Sequence, residues 1–302
     1  MTQDHPKNLA ASVHQRLLNH ARKTQEELQL VLMRYAAERW LQRLSSSKYA
    51  DEFVVKGAML FLVWAAEPFR STKDLDLLGR KRHSVAELQA IFQQVCRTPV
   101  VADGMTFLAD TVRVDEIRED TEYGGLRAKL EARLGTVRIP VQVDIGFGDA
   151  VTPRAQKVDF PVLLDFPAPH VAVYPRETAI AEKFETLVGR GILNSRMRDY
   201  YDLWVMAQEF EFDGETLQAA IRATFKRRKT PVPTEVPFGL TAEFAADATK
   251  RTQWRAFTGK SKLRLKEPDF GKVVDAIREF LIPVVTASVP YTGKWPKGGS
   301  WR

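Results

Sequence analysis

LRAKLEARLGTVRIPVQVDI, residues 126–145, alternates apolar and polar side chains at a period of two. Leu126, Ala128, Leu130, Ala132 and Leu134 fall on one side, and Arg127, Lys129, Glu131 and Arg133 on the other. A half-buried strand has this pattern, because successive side chains point to opposite faces of a sheet. Gly135-Thr136 reads as a turn. Beyond it Val137, Ile139, Val141, Val143 and Ile145 repeat the apolar face, with Gln142, Asp144 and Gly146 opposite. Residues 105–146 are therefore expected to be consecutive antiparallel strands.

On the N-terminal side, 53–55 reads as a short strand, Gly57 as punctuation and 58–66 as a buried helix ended by Pro68. A further strand is expected over 74–78. Thr24-x-x-Glu27 and Ser84-x-x-Glu87 have the spacing of capping boxes. The first should open a helix to about Leu44, burying Leu28, Val31, Leu32 and Tyr35; the second should open one to about Val95. After the proline-rich stretch 166–177 the pattern turns helical, with helices expected at 177–189, 198–210, 214–225, 241–257 and 268–282. Residues 229–239 read as a loop and the Pro/Gly-rich tail 289–302 as mobile. The expected fold class is α+β in two lobes: a mixed-sheet lobe over 1–170 and a helical lobe over 171–302.

Composition narrows the function classes. The net charge is +7, and bases exceed acids by one over 1–170 but by six over 171–302. A basic second part suits a polyanionic partner; equally, it can be a solvated surface that aids solubility. Cys96 is the single cysteine, so an internal disulfide is excluded and a reducing compartment expected. Its apolar helical surroundings make it a core residue. No apolar run approaches the ~18 residues of a spanning helix, and the N-terminus lacks a signal-peptide core. A cytoplasmic protein with no membrane association is expected.

Chemistry concentrates in Arg70-Ser71-Thr72-Lys73-Asp74-Leu75-Asp76-Leu77-Leu78. On a strand, Asp74 and Asp76 share one face while the leucines face the core. Like charges so close favour a bound cation, and carboxylate oxygens suit Mg²⁺ or Mn²⁺. A D-x-D pair also arises by chance on an acidic strand face. Lys56-Gly57-Ala58 precedes it, where a backbone could approach a phosphate at a helix start. Asp144 stands on another strand. Should that strand neighbour the D-x-D strand, three carboxylates converge as two-metal displacement at phosphorus requires.

These residues resemble the DNA-polymerase-β-type nucleotidyltransferase pattern. With Glu177-Thr-Ala-Ile-Ala-Glu182-Lys183 and Arg196-Met-Arg-Asp199-Tyr-Tyr-Asp202, the chain more particularly resembles the AbiEii/AbiGii toxin family, which includes the mycobacterial MenT toxins, over most of residues 50–205. That resemblance implies an NTP-dependent nucleotidyltransferase toxin countered by a separately encoded antitoxin, with RNA, in some relatives the tRNA 3′ end, as acceptor. It implies Asp74 and Asp76 as metal ligands, Lys183 as a nucleotide-phosphate contact, and Asp199 and Asp202 with Arg196 as the last motif. Gly57, Ala58, Arg70, Thr72 and Arg196 would line the nucleotide with Lys183, and Asp74, Asp76, Lys183, Asp199 and Asp202 would be the catalytic residues. Thr72 stands where one relative carries a serine that its antitoxin phosphorylates. Ala58 departs from the family's commoner glycine or serine and offers no hydroxyl. Asp144 as third metal ligand comes from the strand pattern alone.

Without the resemblance, Lys183 reads as a solvated lysine, and Asp199 and Asp202, at i and i+3, as one face of a salt-bridged helix that positions Lys183 or the sheet. Two other functions remain open: transfer to a protein hydroxyl, and non-catalytic nucleic-acid binding by the basic surface.

Overall fold

The computed structural model describes residues 8–65, 68–117, 124–260, 262–267 and 269–302. The chain forms two compact units. The first comprises Met1–Glu67, Thr72–Gly148 and Gln156–Val173; the second comprises Pro68–Ser71, Asp149–Ala155 and Tyr174–Arg302. Two short segments therefore leave the first unit for the second, where the sequence suggests one cut at 170.

The first unit is a seven-stranded mixed sheet with helices. In chain order its elements are α1 (Leu9–Thr24), α2 (Leu28–Ser45), β1 (Phe53–Lys56), α3 (Leu60–Ala65), β2 (Leu75–Gly79), α4 (Val85–Arg97), β3 (Met105–Ile117), β4 (Gly125–Leu134), β5 (Val137–Phe147), β6 (Gln156–Asp159) and β7 (His170–Val173). The strand order is β3-β4-β5-β2-β1-β7-β6. β3, β4 and β5 form the expected antiparallel run, and β5 then pairs parallel with β2. Ala128, Ala132, Ile139 and Val143 are fully buried, so the period-two face is the core face. Pro140 is tolerated inside β5 because β2 joins only from Val143 onward, leaving Pro140 where the strand has a free side.

Thr24 does not open a helix. It is the last residue of α1, a helix the sequence reading lacks, and its hydroxyl donates to the His20 carbonyl at 3.0 Å. Gln25 then takes a left-handed conformation (φ 55°), and α2 begins at Leu28 with no side-chain cap. A Thr-x-x-Glu spacing cannot say on which side of the threonine the helix lies. Ser84 does cap α4 in a full capping box with Glu87. The strand β7 lies in the proline-rich stretch and is too short to show a period; it pairs parallel with β1. Ala66, at the end of the expected 58–66 helix, lies outside the described residues.

The second unit holds α5 (Arg176–Arg190), α6 (Met197–Glu209), β8 (Phe212–Asp213), α7 (Gly214–Arg228), α8 (Ala242–Ala246), α9 (Ala248–Lys260), α10 (Phe270–Thr286) and β9 (Lys294–Trp295). The single helix expected at 241–257 is two, because Asp247 leaves the helical conformation and its side chain accepts from the Lys250 N–H, capping α9. Pro268, expected to start the last helix, lies outside the described residues. The tail is docked rather than mobile. β9 pairs with β8, the Trp295 indole donates to Ala207 O at 2.7 Å, and Trp301 stacks on Phe280 and donates to its carbonyl at 2.8 Å. Its proline and glycine content obscured an aromatic anchor.

Trp295 is 3% exposed, so Trp295→Ala is expected to destabilise the protein by about 3–5 kcal/mol. Urea unfolding of wild type and variant measures it; a loss below about 1 kcal/mol would mean an undocked tail.

Candidate functional site

The residues singled out by sequence fall into two groups, one in each unit. In the first unit they lie on one sheet face. Lys56 on β1 is the cross-strand partner of Asp76 on β2, Asp76 is the partner of Asp144 on β5, and Asp144 is the partner of Arg127 on β4. Cross-strand partners share a face, so four strands line up Lys56, Asp76, Asp144 and Arg127 with charges plus, minus, minus, plus. Leu75 and Leu77 are fully buried while Asp74 and Asp76 are half-buried, the alternation a strand edge of a core demands. Asp74 immediately precedes β2, and the Thr72 hydroxyl donates to its carbonyl at 3.4 Å.

Gly57 follows β1 with φ +76°, a region that favours glycine, and a Cβ built on it would overlap the Asp76 carboxylate. The glycine thus makes room for an acid from the neighbouring strand. Ala58 behind it is buried, and α3 is a short six-residue helix beginning at Leu60. Both Asp144 oxygens accept from Arg127, from Nε at 2.8 Å and Nη2 at 2.7 Å. Among the described residues no group of three or more His, Cys, Asp or Glu side chains is placed to hold a metal ion. Asp74 and Asp76 offer hard oxygen donors, one of them seated in the Gly57 cradle, and these fit Mg²⁺ or Mn²⁺. The Asp144 carboxylate lies beside Asp76 but is turned to arginine. Sequence reasoning placed Arg127 on the charged face without assigning it a partner; only the strand register pairs it.

In the second unit, α5 carries Lys183, α6 carries Asp199 and Asp202, and Arg196 is the residue before α6. The Lys183 ammonium donates to Asp199 Oδ1 at 2.9 Å and lies 2.8 Å from Asp202 Oδ2. Arg70 makes a two-pronged pair with Asp202, Nε to Oδ1 at 2.7 Å and Nη2 to Oδ2 at 2.8 Å. Arg196 Nε donates to Asp199 Oδ2 at 2.6 Å. Arg70 is placed by its backbone: it bridges Leu263, and the preceding Phe69 carbonyl accepts from the Tyr201 hydroxyl at 2.9 Å.

Burial opposes every charge here. Asp202 is fully buried and Asp199 nearly so. Burial alone would raise both carboxyls, yet Arg70 and Lys183 hold Asp202 down to about 2, and Lys183 and Arg196 hold Asp199 below the ordinary range. For Lys183 burial would strip the proton; the two carboxylates outweigh it and raise its pKa above the usual lysine value. The ammonium therefore stays charged, with two of its three hydrogens directed at carboxylates.

Behind α5, Arg228 bonds Glu185 at 2.7 Å and Asp149 at 3.1 Å, and Tyr174 donates to Glu182 at 3.0 Å. This second network, which sequence reasoning missed, fixes the helix that carries Lys183. Arg228, in the last turn of α7 with Lys226 and Arg227, is accordingly turned inward.

The first unit thus holds Asp76 in the Gly57 cradle of a mixed sheet, and the second holds a charged Lys183 between two buried carboxylates. Residues 39–276 match the family described as nucleotidyl transferase AbiEii toxin, type IV TA system, and the chain belongs to that family. The match extends well beyond residues 50–205 into the helical part. Solved structures similar to the chain include MenT4, a nucleotidyltransferase toxin from Mycobacterium tuberculosis (16% identity, 91% of this chain and 96% of that one, TM-score 0.49). Two from Helicobacter pylori are JHP933 (14%, 81% and 90%, 0.47) and a putative nucleotidyltransferase (13%, 82% and 93%, 0.46). No curated protein matches the chain. Among the described residues no helix is long and apolar enough to cross a membrane.

Asp202→Ala leaves Arg70 and Lys183 buried without their shared counter-charge and is expected to cost about 3–5 kcal/mol in denaturant unfolding. Because the Asp202 pKa is depressed on folding, its contribution is full above about 4 and disappears as the pH falls towards about 2. The stability gap between wild type and Asp202→Asn should therefore narrow over that interval; a gap that stays constant would show that folding leaves the Asp202 pKa unshifted. Gly57→Ala should displace Asp76, visible as a loss of divalent-metal binding in a protein whose circular dichroism is unchanged.

Proposed function

We propose that this chain transfers a nucleoside monophosphate from an NTP to an RNA hydroxyl, at the tRNA 3′ end, in the cytoplasm. The observation that carries the reading is the Gly57 cradle around Asp76, on the sheet face that also brings Asp144 to its side. Family membership implies an NTP substrate and an antitoxin partner. Asp74 and Asp76 would hold Mg²⁺ or Mn²⁺, and the bound ion would supply charge stabilisation at the phosphates. Lys183 offers its remaining hydrogen to a phosphate oxygen as a fixed point charge. Asp199 and Asp202, together with Arg70 and Arg196, are positioning residues: they keep Lys183 charged and aimed. Gly57, Ala58 and Thr72 shape the neighbourhood of the acids. The acceptor hydroxyl loses its proton to solvent as its oxygen bonds the α-phosphorus, the bond from that phosphorus to the α,β-bridging oxygen breaks, and pyrophosphate leaves. The excess of bases over residues 171–302 suits an acceptor held by its phosphates.

The test mixes purified protein, Mg²⁺ or Mn²⁺ and total tRNA with each α-labelled NTP. Wild type should label RNA, the Asp74→Asn/Asp76→Asn variant should not, and Lys183→Ala should lose about 10²–10³-fold, the scale for one preorganised electrostatic group. Label on protein alone would reassign the acceptor to a protein hydroxyl. Cellular toxicity untouched by the double variant would point to nucleic-acid binding without catalysis.

A further inference from the structure

We infer that Arg127 is a positioning residue that holds the Asp144 carboxylate away from the metal, leaving Asp74 and Asp76 as the carboxylates that bind it; this rests on the reading just proposed. Asp76 and Asp144 are directly opposite on adjacent strands, which run about 4.8 Å apart. Two carboxylates at directly opposite positions of neighbouring strands repel unless a cation separates or neutralises them. The fold supplies one. Arg127 is the cross-strand partner of Asp144 on its other side, so the ladder sets the two groups opposite each other and little side-chain freedom remains to be lost. The guanidinium meets the carboxylate edge-on, Nε and Nη2 each donating to a separate oxygen. That planar fork matches both carboxylate oxygens, and a lysine cannot reproduce it.

The consequence is an asymmetric acid row. Asp76 lies over Gly57, on the Lys56 side, and Asp144 is drawn to the opposite side by Arg127. A divalent cation at Asp74 and Asp76 then has Asp144 nearby as a paired, charge-compensated neighbour. Removing the guanidinium frees a carboxylate one strand away from the metal. Arg127 therefore sets how many carboxylates the ion meets and how tightly it is held. The pair is 37% and 20% exposed, so substitution at either position is expected to leave the sheet folded.

Mn²⁺ titration of the full-length protein without nucleotide, followed by calorimetry and by the electron paramagnetic resonance of free Mn²⁺, tests the assignment. Arg127→Met should tighten Mn²⁺ binding by about tenfold, because a positive charge beside the ion is lost and a third carboxylate becomes available. Arg127→Lys should fall between Arg127→Met and wild type. The charge-neutral double variant Arg127→Met/Asp144→Asn should return to wild-type affinity within about twofold, the scatter of sites that do not interact. A tenfold or greater loss in that double variant would make Asp144 a ligand in the native protein and overturn the inference. Failure of the metal reading itself shows elsewhere: Mn²⁺ affinity unchanged by Asp76→Asn would remove the site, and this inference with it.

Discussion

A carboxylate with no exposed surface keeps its charge when cations reach both its oxygens, and Asp202 meets that condition. Arg70 grips it edge-on and Lys183 takes a second direction. Such a pair contributes little to net stability compared with an apolar substitute, but it is costly to break. Its effect is therefore to specify an arrangement. The motif segment at 68–71, the helix carrying Lys183 and the helix carrying Asp199 cannot shift independently without orphaning a buried charge. Arg196 closes the network by compensating Asp199.

The sheet face of the first unit works by a different constraint, which is register. A one-residue slip of β2 would send Asp76 into the core and Leu77 to the solvent side, so the apolar alternation locks the acid in place. That same register opposes Asp76 to Asp144 and Asp144 to Arg127. Gly57 also has a steric role: any side chain there would occupy the volume of the Asp76 carboxylate. The two readings of a glycine at a strand end, phosphate approach and packing clearance, look identical in sequence.

Where local signals were strong the elements were legible. The alternation over 126–145 gave β4 and β5, and the Ser84 box gave α4. Where two local rules share one spacing they failed: Thr24 closes a helix instead of opening one, and Asp247 breaks a helical pattern by capping a second. The tail misled because Pro and Gly dominate its composition, while its docking rests on two tryptophans whose partners lie 88 and 21 residues away.

The sequence by itself determined which residues are proposed to carry the chemistry: the D-x-D pair, Gly57, Lys183 and the acids at 199 and 202 are local motifs, and local motifs survive in a linear reading. It also determined β4 and β5, because a period of two is written in neighbouring residues. Only the tertiary structure decided who neutralises whom. The partners of Asp144, Asp202 and Lys183 are separated from them by 17, 132 and 16 residues. Charge pairing depends on through-space distance and burial, and no spacing along the chain encodes either.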